Sequence, residues 1–308
     1  MNQTTHQFDL IIIGAGPAGL AAAIYSARAS LSTLLIDESS AGGQVKTTHQ
    51  VANYPGFVEP IAGYELAGNM RNQAKKYGAR FELAADISAI NFVGKEKWVK
   101  IDGETFNTKH ILIATGSSPR TLNVPGEQEF MGSGISFCAT CDGEFYKDKD
   151  IIVVGGGNSA MEESLLLLQF VKSITIIHQF DNLQAEKITA DRIIENPKVN
   201  ILWSHEPRRF EKKEDKMIIT AENFKSKEFV TLERDGVFIF VGMESNTDFL
   251  RNTPLQLTEQ GYIVTNDKME TNIEGVFAAG DVRDKKHRQI TTAVSDGTIA
   301  SLEIIQKI

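Results

Sequence analysis

The stretch FDLIIIGAGPAGL, residues 8–20, decides the fold of this chain. Residues 10–13 form a continuous apolar run, which is typical of a parallel strand buried on both faces. Gly14, Gly16 and Gly19 then follow the GxGxxG pattern, and an alanine-rich helix is predicted to about Ala29. This order of strand, glycine turn and helix predicts a dinucleotide-binding unit, with a glycine turn used only for close packing as the alternative.

An acid follows the next predicted strand. Residues 32–36 form that strand, and Asp37 and Glu38 come directly after it. In dinucleotide-binding folds an acid about 20 residues after the glycine turn accepts hydrogen bonds from the adenosine ribose. Asp37 is therefore the candidate for that contact, with Glu38 as its neighbour, while the pyrophosphate is expected at the helix N-terminus.

A second unit with the same architecture begins at DIIVVGGGNSA, residues 150–160. Gly155, Gly157 and Ala160 follow the GxGxxA variant of the pattern. A helix is predicted to about Val171, and a strand follows over residues 173–177. Two glycine-rich βαβ units in one chain predict an α/β fold with two Rossmann-like dinucleotide-binding domains.

The second unit lacks the polar groups that usually select its ligand. The position equivalent to Asp37 is His178, and Gln179 and Phe180 follow it. No acid is present there to hold a ribose hydroxyl, and no arginine to hold a 2′-phosphate. We expect a retained fold with little or no affinity for NADPH.

Three further stretches read as buried strands, and one charged stretch reads as surface. The buried strands are ILIATG (111–116), GVFIFVG (236–242) and GVFAAGD (275–281), and a final helix is expected from about Thr291. The segment 206–228 mixes charges of both signs, which predicts a solvated pair of strands.

Composition excludes several classes of function. The chain has 308 residues and a formal charge of -8, which argues against a general nucleic-acid or anionic-membrane binder. The apolar run 10–24 is interrupted by glycines and Pro17, so we expect neither a signal peptide nor a membrane span. A cytoplasmic protein is predicted.

The only two cysteines, Cys138 and Cys141, lie in the sequence CATCDG. Half a zinc site is one interpretation, but the ligands would have to come from histidines that show no paired spacing, such as His49. Two inert thiols are another interpretation. The favoured one is a redox dithiol that forms a reversible disulfide, with Asp142 as proton donor or acceptor, although Asp142 also suits a turn. No metal site is predicted.

These features together resemble the low-molecular-weight thioredoxin reductases over essentially the whole chain. The motifs that carry the resemblance are CATCDG, RQITTA (288–293), GGQ (42–44), NYPGF (53–57), ATG (114–116) and Gly280-Asp281. The resemblance implies that the second unit is inserted into the first. Residues 1–116 and 245–308 would form an FAD-binding domain, and residues 117–244 a pyridine-nucleotide-type domain that carries the dithiol.

The resemblance also implies roles for individual residues. Cys141 would face the flavin, Cys138 would attack the disulfide of a thioredoxin-like protein, and Asp142 would be the acid. A homodimer is expected on the same basis. The residues implied in FAD binding are Gly14, Gly16, Ala18, Gly19, Asp37, Glu38, Gly43, Gln44, Asn53, Thr115, Gly116, Gly280, Asp281, Arg288, Gln289 and Ala293.

The electron donor is where this chain departs from the family pattern. NADPH-using members carry His-Arg-Arg directly after the strand that here covers residues 173–177. In this chain, His178, Gln179 and Phe180 stand in that place. A buried phosphate without cationic partners is costly, so we expect a donor other than NADPH, with reduced ferredoxin ahead of NADH. The alternatives are an NADPH-dependent reductase with an atypical pocket, a flavoenzyme related to ferredoxin–NADP reductase, and a non-catalytic redox sensor.

Overall fold

The chain divides into two compact units. Unit 1 comprises Met1–Ser118 and Glu244–Ile308, and unit 2 comprises Pro119–Met243. The computed structural model describes residues 6–48 and 50–308, so His49, considered above as a metal ligand, lies outside the described residues.

The secondary structure alternates between strands and helices in both units. The first part of the chain, up to the point where it passes from unit 1 into unit 2, contains β1 (His6–Ile13), α1 (Pro17–Arg28), β2 (Thr33–Asp37), α2 (Gly63–Lys76), β3 (Arg80–Leu83), β4 (Ile87–Asn91), β5 (Lys97–Ile101), β6 (Glu104–Ile113) and β7 (Ser117–Pro119). The next part, up to the point where the chain returns to unit 1, contains α3 (Glu127–Phe130), β8 (Ile135–Ser136), α4 (Ala139–Asp142), β9 (Asp150–Val154), α5 (Asn158–Leu167), β10 (Ser173–His178), α6 (Lys187–Ile194), β11 (Val199–Trp203), β12 (His205–Lys213), β13 (Lys216–Asn223), β14 (Phe229–Arg234), β15 (Gly236–Ile239) and β16 (Met243–Ser245). The chain ends with β17 (Val276–Ala278) and α7 (Ile290–Ile305).

Unit 1 is built on a sheet in which β1 is central. The strand order is β3-β2-β1-β6-β5-β4, and β17 also pairs with β6. Strands β1, β2, β3, β6 and β17 are parallel to their neighbours in this set, and Leu10 of β1 pairs with Thr33 on one side and His110 on the other. Ile11 and Ile12 are fully buried, as expected for a strand covered on both faces.

Unit 2 contains a second parallel sheet and a smaller antiparallel one. The parallel sheet has the order β11-β10-β9-β15-β8, and Ile152 of β9 pairs with Thr175 and Val237. Strands β12, β13 and β14 form the antiparallel sheet, so the predicted strand pair over 206–228 is joined by a third strand. The predicted α/β fold with two βαβ units, the second inserted into the first, is confirmed.

Two predicted element ends differ from the structure. The helix expected to reach Val171 ends at Leu167, because the amides of Gln169 and Phe170 bond three residues back instead of four. The strand expected to reach Gly242 ends at Ile239.

The first glycine turn depends on two backbone approaches that leave no room for a side chain. Gly14 has φ +107°, and a Cβ there would overlap the backbone oxygen of Ala114, which comes directly after β6. A Cβ on Gly19 would overlap the carbonyl oxygen of Gly14. The turn is therefore closed by main chain against main chain, which fixes where α1 begins.

Among residues 6–48 and 50–308, no helix has the length and apolar character needed to cross a bilayer.

Replacing Gly19 with alanine is expected to destabilise unit 1 by at least about 2 kcal/mol, because backbone has to move to admit the methyl group. Gly68→Ala in α2 is the matched control. Nothing lies within 4 Å of a Cβ at that position. The control is expected to gain about 0.5 kcal/mol from helix propensity. Urea unfolding followed by circular dichroism measures both, and equal midpoints for the two variants would contradict the close approach.

Candidate active site

The N-terminus of α1 presents backbone rather than side chains. Gly16 is the N-cap, it makes no side-chain capping bond, and Pro17 occupies the first turn. The loop at Gly43 passes directly beside it, since a Cβ on Gly43 would lie 3.0 Å from the Cα of Gly16. The first-turn N–H groups of a helix have no partner within the helix, so this surface suits an anionic group.

Asp37 is tied to the same turn. Its Oδ2 accepts a hydrogen bond from the Ala15 amide at 2.7 Å. Its Oδ1 accepts from the Ser39 amide at 2.8 Å and from the Ser39 hydroxyl at 2.9 Å. The carboxylate therefore already orders the two loops beside it, while the neighbouring Glu38 is exposed. The predicted ribose contact of Asp37 stays a prediction.

Two of the residues implied in FAD binding, Asn53 and Gln289, contact each other in unit 1. Asn53 donates from Nδ2 to Oε1 of Gln289 at 3.3 Å, and Gln289 caps the N-terminus of α7. Gln44 donates from Nε2 to the backbone oxygen of Ser117. The first of these contacts joins side chains that lie 236 residues apart in the sequence.

A set of small residues packs closely around the turn that follows β17. A Cβ on Gly280 would lie 2.8 Å from the Cβ of Ala18 and 3.7 Å from that of Ala293, so α1, α7 and the turn after β17 meet there.

Thr115 and Asn246 exchange two hydrogen bonds. Thr115 Oγ1 donates to the backbone oxygen of Asn246 at 2.9 Å, and Asn246 Nδ2 donates to the backbone oxygen of Thr115 at 2.8 Å.

Asp281 carries a buried oxygen that this chain leaves unsatisfied. Its Oδ1 has no hydrogen-bond partner among the residues described, and the Nζ of Lys285 is 3.6 Å away. Burial raises the pKa of this carboxyl, and Lys285 and Arg288 act against that rise. A buried acceptor without a donor is costly, so the position suits a ligand that supplies a hydroxyl or N–H group.

A second acid holds basic residues close to the turn after β17. Asp296 of α7 accepts from the Gly280 amide at 3.1 Å and lies 3.0 Å from both the Arg283 and Lys285 cations. Arg288 stacks over Tyr262, with its guanidinium carbon 4.2 Å from the ring centroid. Sequence reasoning missed Asp296, although a charged residue inside an apolar helix was a usable signal.

In unit 2, Cys138 and Cys141 form a disulfide with their Cα atoms 5.3 Å apart. Helix α4 begins directly after Cys138, and the Cys141 amide donates to the Cys138 sulfur at 3.1 Å. Both cysteines are partly exposed. An N–H group directed at sulfur stabilises a thiolate there, so Cys138 has the surroundings of a nucleophile once the disulfide is reduced.

Asp142 lies beside the disulfide and is held by a residue that the sequence analysis missed. The Ser136 hydroxyl donates to Oδ2 of Asp142 at 2.6 Å. The Ser136 hydroxyl oxygen in turn accepts a hydrogen bond from the Cys138 amide at 3.1 Å. Ser136 was not recognisable from sequence, because a serine in a two-residue strand carries no pattern.

Two ionisable groups close to α4 have their pKa raised by burial. Burial, with the charges of Asp142 and Asp235, raises the pKa of Tyr146 to about 12. Burial also raises the pKa of Glu163 on α5, and the Ala139 amide opposes that rise. Neither group supplies a second acid comparable to Asp142 by position.

The second glycine turn is covered by a histidine ring. A Cβ on Gly156 would overlap the imidazole of His178, which is only 4% exposed and lies 3.1 Å from the Asn182 oxygen through Nε2. Burial lowers the pKa of His178, so the ring is neutral at neutral pH. The Gln184 amide donates to the Gly156 oxygen at 2.8 Å.

The residues after β10 offer no cation for a phosphate. Gln179 is exposed, and the ring of Phe180 packs edge-on against His178 with centroids 5.5 Å apart. Asp181 accepts from the Ser204 hydroxyl and pairs with Lys225 at 2.5 Å. The one acid in this stretch is therefore engaged by neighbours in unit 2.

No group of three or more histidine, cysteine, aspartate or glutamate side chains within 6–48 and 50–308 is arranged to hold a metal ion.

Comparison with known proteins places this geometry among flavin-linked disulfide enzymes. Residues 8–297 match the family model described as pyridine nucleotide-disulphide oxidoreductase. The chain is 44% identical to the 34.2 kDa protein in the rubredoxin operon of Clostridium pasteurianum over 96% of each chain. It is 44% identical to thioredoxin reductase of Bacillus subtilis strain 168, over 96% of this chain and 93% of that protein. The crystal structure of thioredoxin reductase from Streptococcus pyogenes superposes with a TM-score of 0.92 at 40% identity, covering 97% of each chain.

Proposed function

Because the chain belongs to the pyridine nucleotide-disulphide oxidoreductases, among the low-molecular-weight thioredoxin reductases, we propose that it reduces the disulfide of a thioredoxin-like protein through FAD and the Cys138–Cys141 pair. The class of enzyme is a flavin disulfide oxidoreductase. Unit 1 is proposed as the FAD domain and unit 2 as the pyridine-nucleotide-type domain.

The observation that carries this proposal is the disulfide between Cys138 and Cys141 with Asp142 beside it. A closed pair of cysteines three residues apart cycles between disulfide and dithiol without rearranging the backbone around it. Inert thiols would not need the Cys141 amide directed at the Cys138 sulfur at 3.1 Å. A structural staple is also disfavoured, because a four-residue loop constrains little of the unfolded chain.

FAD, when bound, supplies the electron pair that opens the disulfide. The chain's own residues carry out the exchange that follows. The Cys138 thiolate attacks one sulfur of the partner's disulfide, forming a mixed disulfide and releasing the other partner sulfur as a thiolate. Cys141 then attacks Cys138, which restores the Cys138–Cys141 bond and releases the second partner sulfur. Asp142 is proposed to move protons to and from these sulfurs.

Replacing Cys138 with serine is expected to abolish thioredoxin reduction, at least 1,000-fold, while the flavin is still reduced by its donor, because only the attacking sulfur is lost. Cys141→Ser is expected to accumulate the mixed disulfide, since the resolving sulfur is missing. Thr140→Ala, an exposed position between the cysteines, is the control and keeps activity. Turnover with oxidised thioredoxin and non-reducing mass spectrometry measure these effects, and full turnover by Cys138→Ser would exclude the dithiol mechanism.

FAD is proposed at the N-terminus of α1 and the turn after β17. The residues present fit that group, because the first turn of α1 offers unpartnered N–H groups and Asp281 offers a buried, unsatisfied acceptor. Asn53 and Gln289, which bond each other at 3.3 Å, are proposed on the flavin side. Gly16 and Gly43 keep the surface free of side chains for the pyrophosphate.

Asp281→Asn is expected to lower FAD content at least tenfold, while the apoprotein unfolds at an equal or higher temperature. The reason is that an unsatisfied buried carboxylate destabilises the protein without its ligand. Asp284→Asn, an exposed neighbour, is the control. Flavin absorbance per chain and thermal unfolding of the apoprotein measure the two effects. A loss of both FAD and apoprotein stability would assign Asp281 a structural role instead.

The electron donor is proposed to be reduced ferredoxin or NADH and not NADPH. Support comes from the second glycine turn, where the His178 ring covers Gly156 and no arginine lies among residues 179–191. Asp181, the acid in that stretch, is engaged by Lys225 and Ser204 and so is not placed to select a ribose. Ferredoxin is favoured over NADH because no other acid lies among residues 179–185, directly after the strand.

Anaerobic mixing with NADPH, NADH and reduced ferredoxin in turn tests the donor. We expect reduced ferredoxin to bleach the flavin within seconds and micromolar NADPH to leave it oxidised, because a 2′-phosphate finds no guanidinium group. Gln179→Arg, which restores one cation at an exposed site, is expected to increase the rate with NADPH. Rapid bleaching of the unmodified protein by micromolar NADPH would overturn this assignment.

A homodimer and a cytoplasmic location complete the proposal. The dimer is supported by the relationship to the thioredoxin reductases. The location is supported by the chemistry, because a dithiol that delivers electrons to thioredoxin needs a reducing compartment.

A further inference from the structure

A buried serine joins the proposed acid to the reactive cysteine. Ser136 is 5% exposed and lies in β8, which pairs with β15 through Ser136 and Phe238. Its position is thus set by the parallel sheet of unit 2 and not by the loop that carries the disulfide. Its hydroxyl oxygen is within hydrogen-bond distance of Asp142 Oδ2 at 2.6 Å and of the Cys138 amide at 3.1 Å.

The hydrogen bonds of Ser136 can be counted atom by atom. A serine hydroxyl has one proton to donate and accepts through its lone pairs. The Cys138 amide can only donate, so the hydroxyl accepts that bond. Its own proton then points either to the Asp142 carboxylate at 2.6 Å or to the Cys138 carbonyl oxygen at 3.4 Å. With Asp142 ionised, the shorter and charge-assisted bond to the carboxylate is much the stronger.

We infer that Ser136 is a positioning residue that holds the Asp142 carboxylate beside the disulfide and links its protonation state to the backbone of Cys138. This inference rests on the proposed function, in which Asp142 exchanges protons with the dithiol. When Asp142 is ionised, the hydroxyl donates to it. When Oδ2 carries the proton, the acid donates to the hydroxyl oxygen, and the hydroxyl proton turns to the Cys138 carbonyl. One proton is gained by Asp142, and no electrons are transferred.

The consequence for acid strength has a definite sign. A hydroxyl that donates to the ionised carboxylate stabilises that form, so removing the hydroxyl makes Asp142 retain its proton to higher pH. The pH-dependent limb that reports Asp142 therefore moves upward whether the rate requires the ionised or the protonated carboxyl.

Other ionisable groups around α4 stay in place when Ser136 is changed. They are the Cys138 and Cys141 thiols of the reduced protein, Tyr146 and Glu144 in the turn after α4, Glu163 on α5 and Asp235 before β15. Tyr146 is neutral throughout the range of interest because its pKa is raised to about 12. A difference between serine and alanine at position 136 that depends on Asp142 therefore reports the direct bond.

The test uses full-length, FAD-loaded protein reduced anaerobically with dithionite and freed of excess reductant. Its oxidation is followed in a single turnover from pH 5 to 9, once with oxidised thioredoxin and once with 5,5′-dithiobis(2-nitrobenzoate). The variants are Ser136→Ala, Ser136→Thr, Asp142→Asn and the double variant of Ser136→Ala with Asp142→Asn. Ser133→Ala, a nearby exposed serine, is the control.

We expect Ser136→Ala to move the Asp142-dependent limb up by about one pH unit, as loss of one charge-assisted hydrogen bond implies. Ser136→Thr keeps the hydroxyl and is expected to restore the original profile, and Ser133→Ala leaves it unchanged. In the Asp142→Asn background, Ser136→Ala is expected to add no further shift.

Three results would overturn the inference. They are an unchanged profile in Ser136→Ala, an equal shift in the Asp142→Asn background, and an Asp142→Asn profile identical to that of the unmodified protein. If Ser136→Thr does not fold, the alanine and double variants still decide. Failure with thioredoxin but reaction with the small disulfide would count against the proposed function alone, because the small disulfide still reports Ser136.

Discussion

Contact of main chain with main chain at the glycine turn after β1 is the constraint on which unit 1 depends. The carbonyl of Gly14 occupies the space where a side chain of Gly19 would be, and the Ala114 oxygen occupies that of Gly14. These approaches bring β1, α1 and the end of β6 together without intervening side chains. The N-terminus of α1 is consequently bare backbone, which is the surface that a pyrophosphate needs. The surface proposed for FAD and the packing of the unit thus have one physical origin.

Unit 2 uses the same turn but fills it differently. Gly155 lies against the Phe240 oxygen as Gly14 lies against Ala114, so the backbone contact is repeated. The ring of His178 then covers Gly156, and the Asn182 oxygen holds that ring through Nε2. A neutral imidazole at this place offers a phosphate no charge. The function proposed for unit 2 therefore rests on the dithiol, where one amide is directed at sulfur and one hydroxyl at the neighbouring carboxylate.

The sequence predicted the elements with strong patterns and missed those whose role depends on distant partners. Strands β1 and β9 each end in a continuous apolar run followed by glycines, and both were recognised because burial on two faces favours apolar residues at successive positions. Ser136, Asn246 and Asp296 were missed. Each has an ordinary local context, and each acts through a residue brought to it by the fold, such as Asp142 for Ser136. The end of α5 was misplaced because apolar residues continue after the hydrogen-bond pattern has tightened.

The sequence by itself determined the fold class, the presence of two βαβ units and the identity of the only cysteines, because glycine spacing and residue type are local properties of the chain. The insertion of the second unit into the first was implied by the family resemblance. Only the tertiary structure decided that Asp37 orders the first glycine turn, that Asp281 has an unsatisfied oxygen and that Ser136 bonds both Asp142 and Cys138. Hydrogen-bond satisfaction is a property of positions in space. It depends on the lengths and directions of contacts between segments far apart in the chain, and no residue pattern records them.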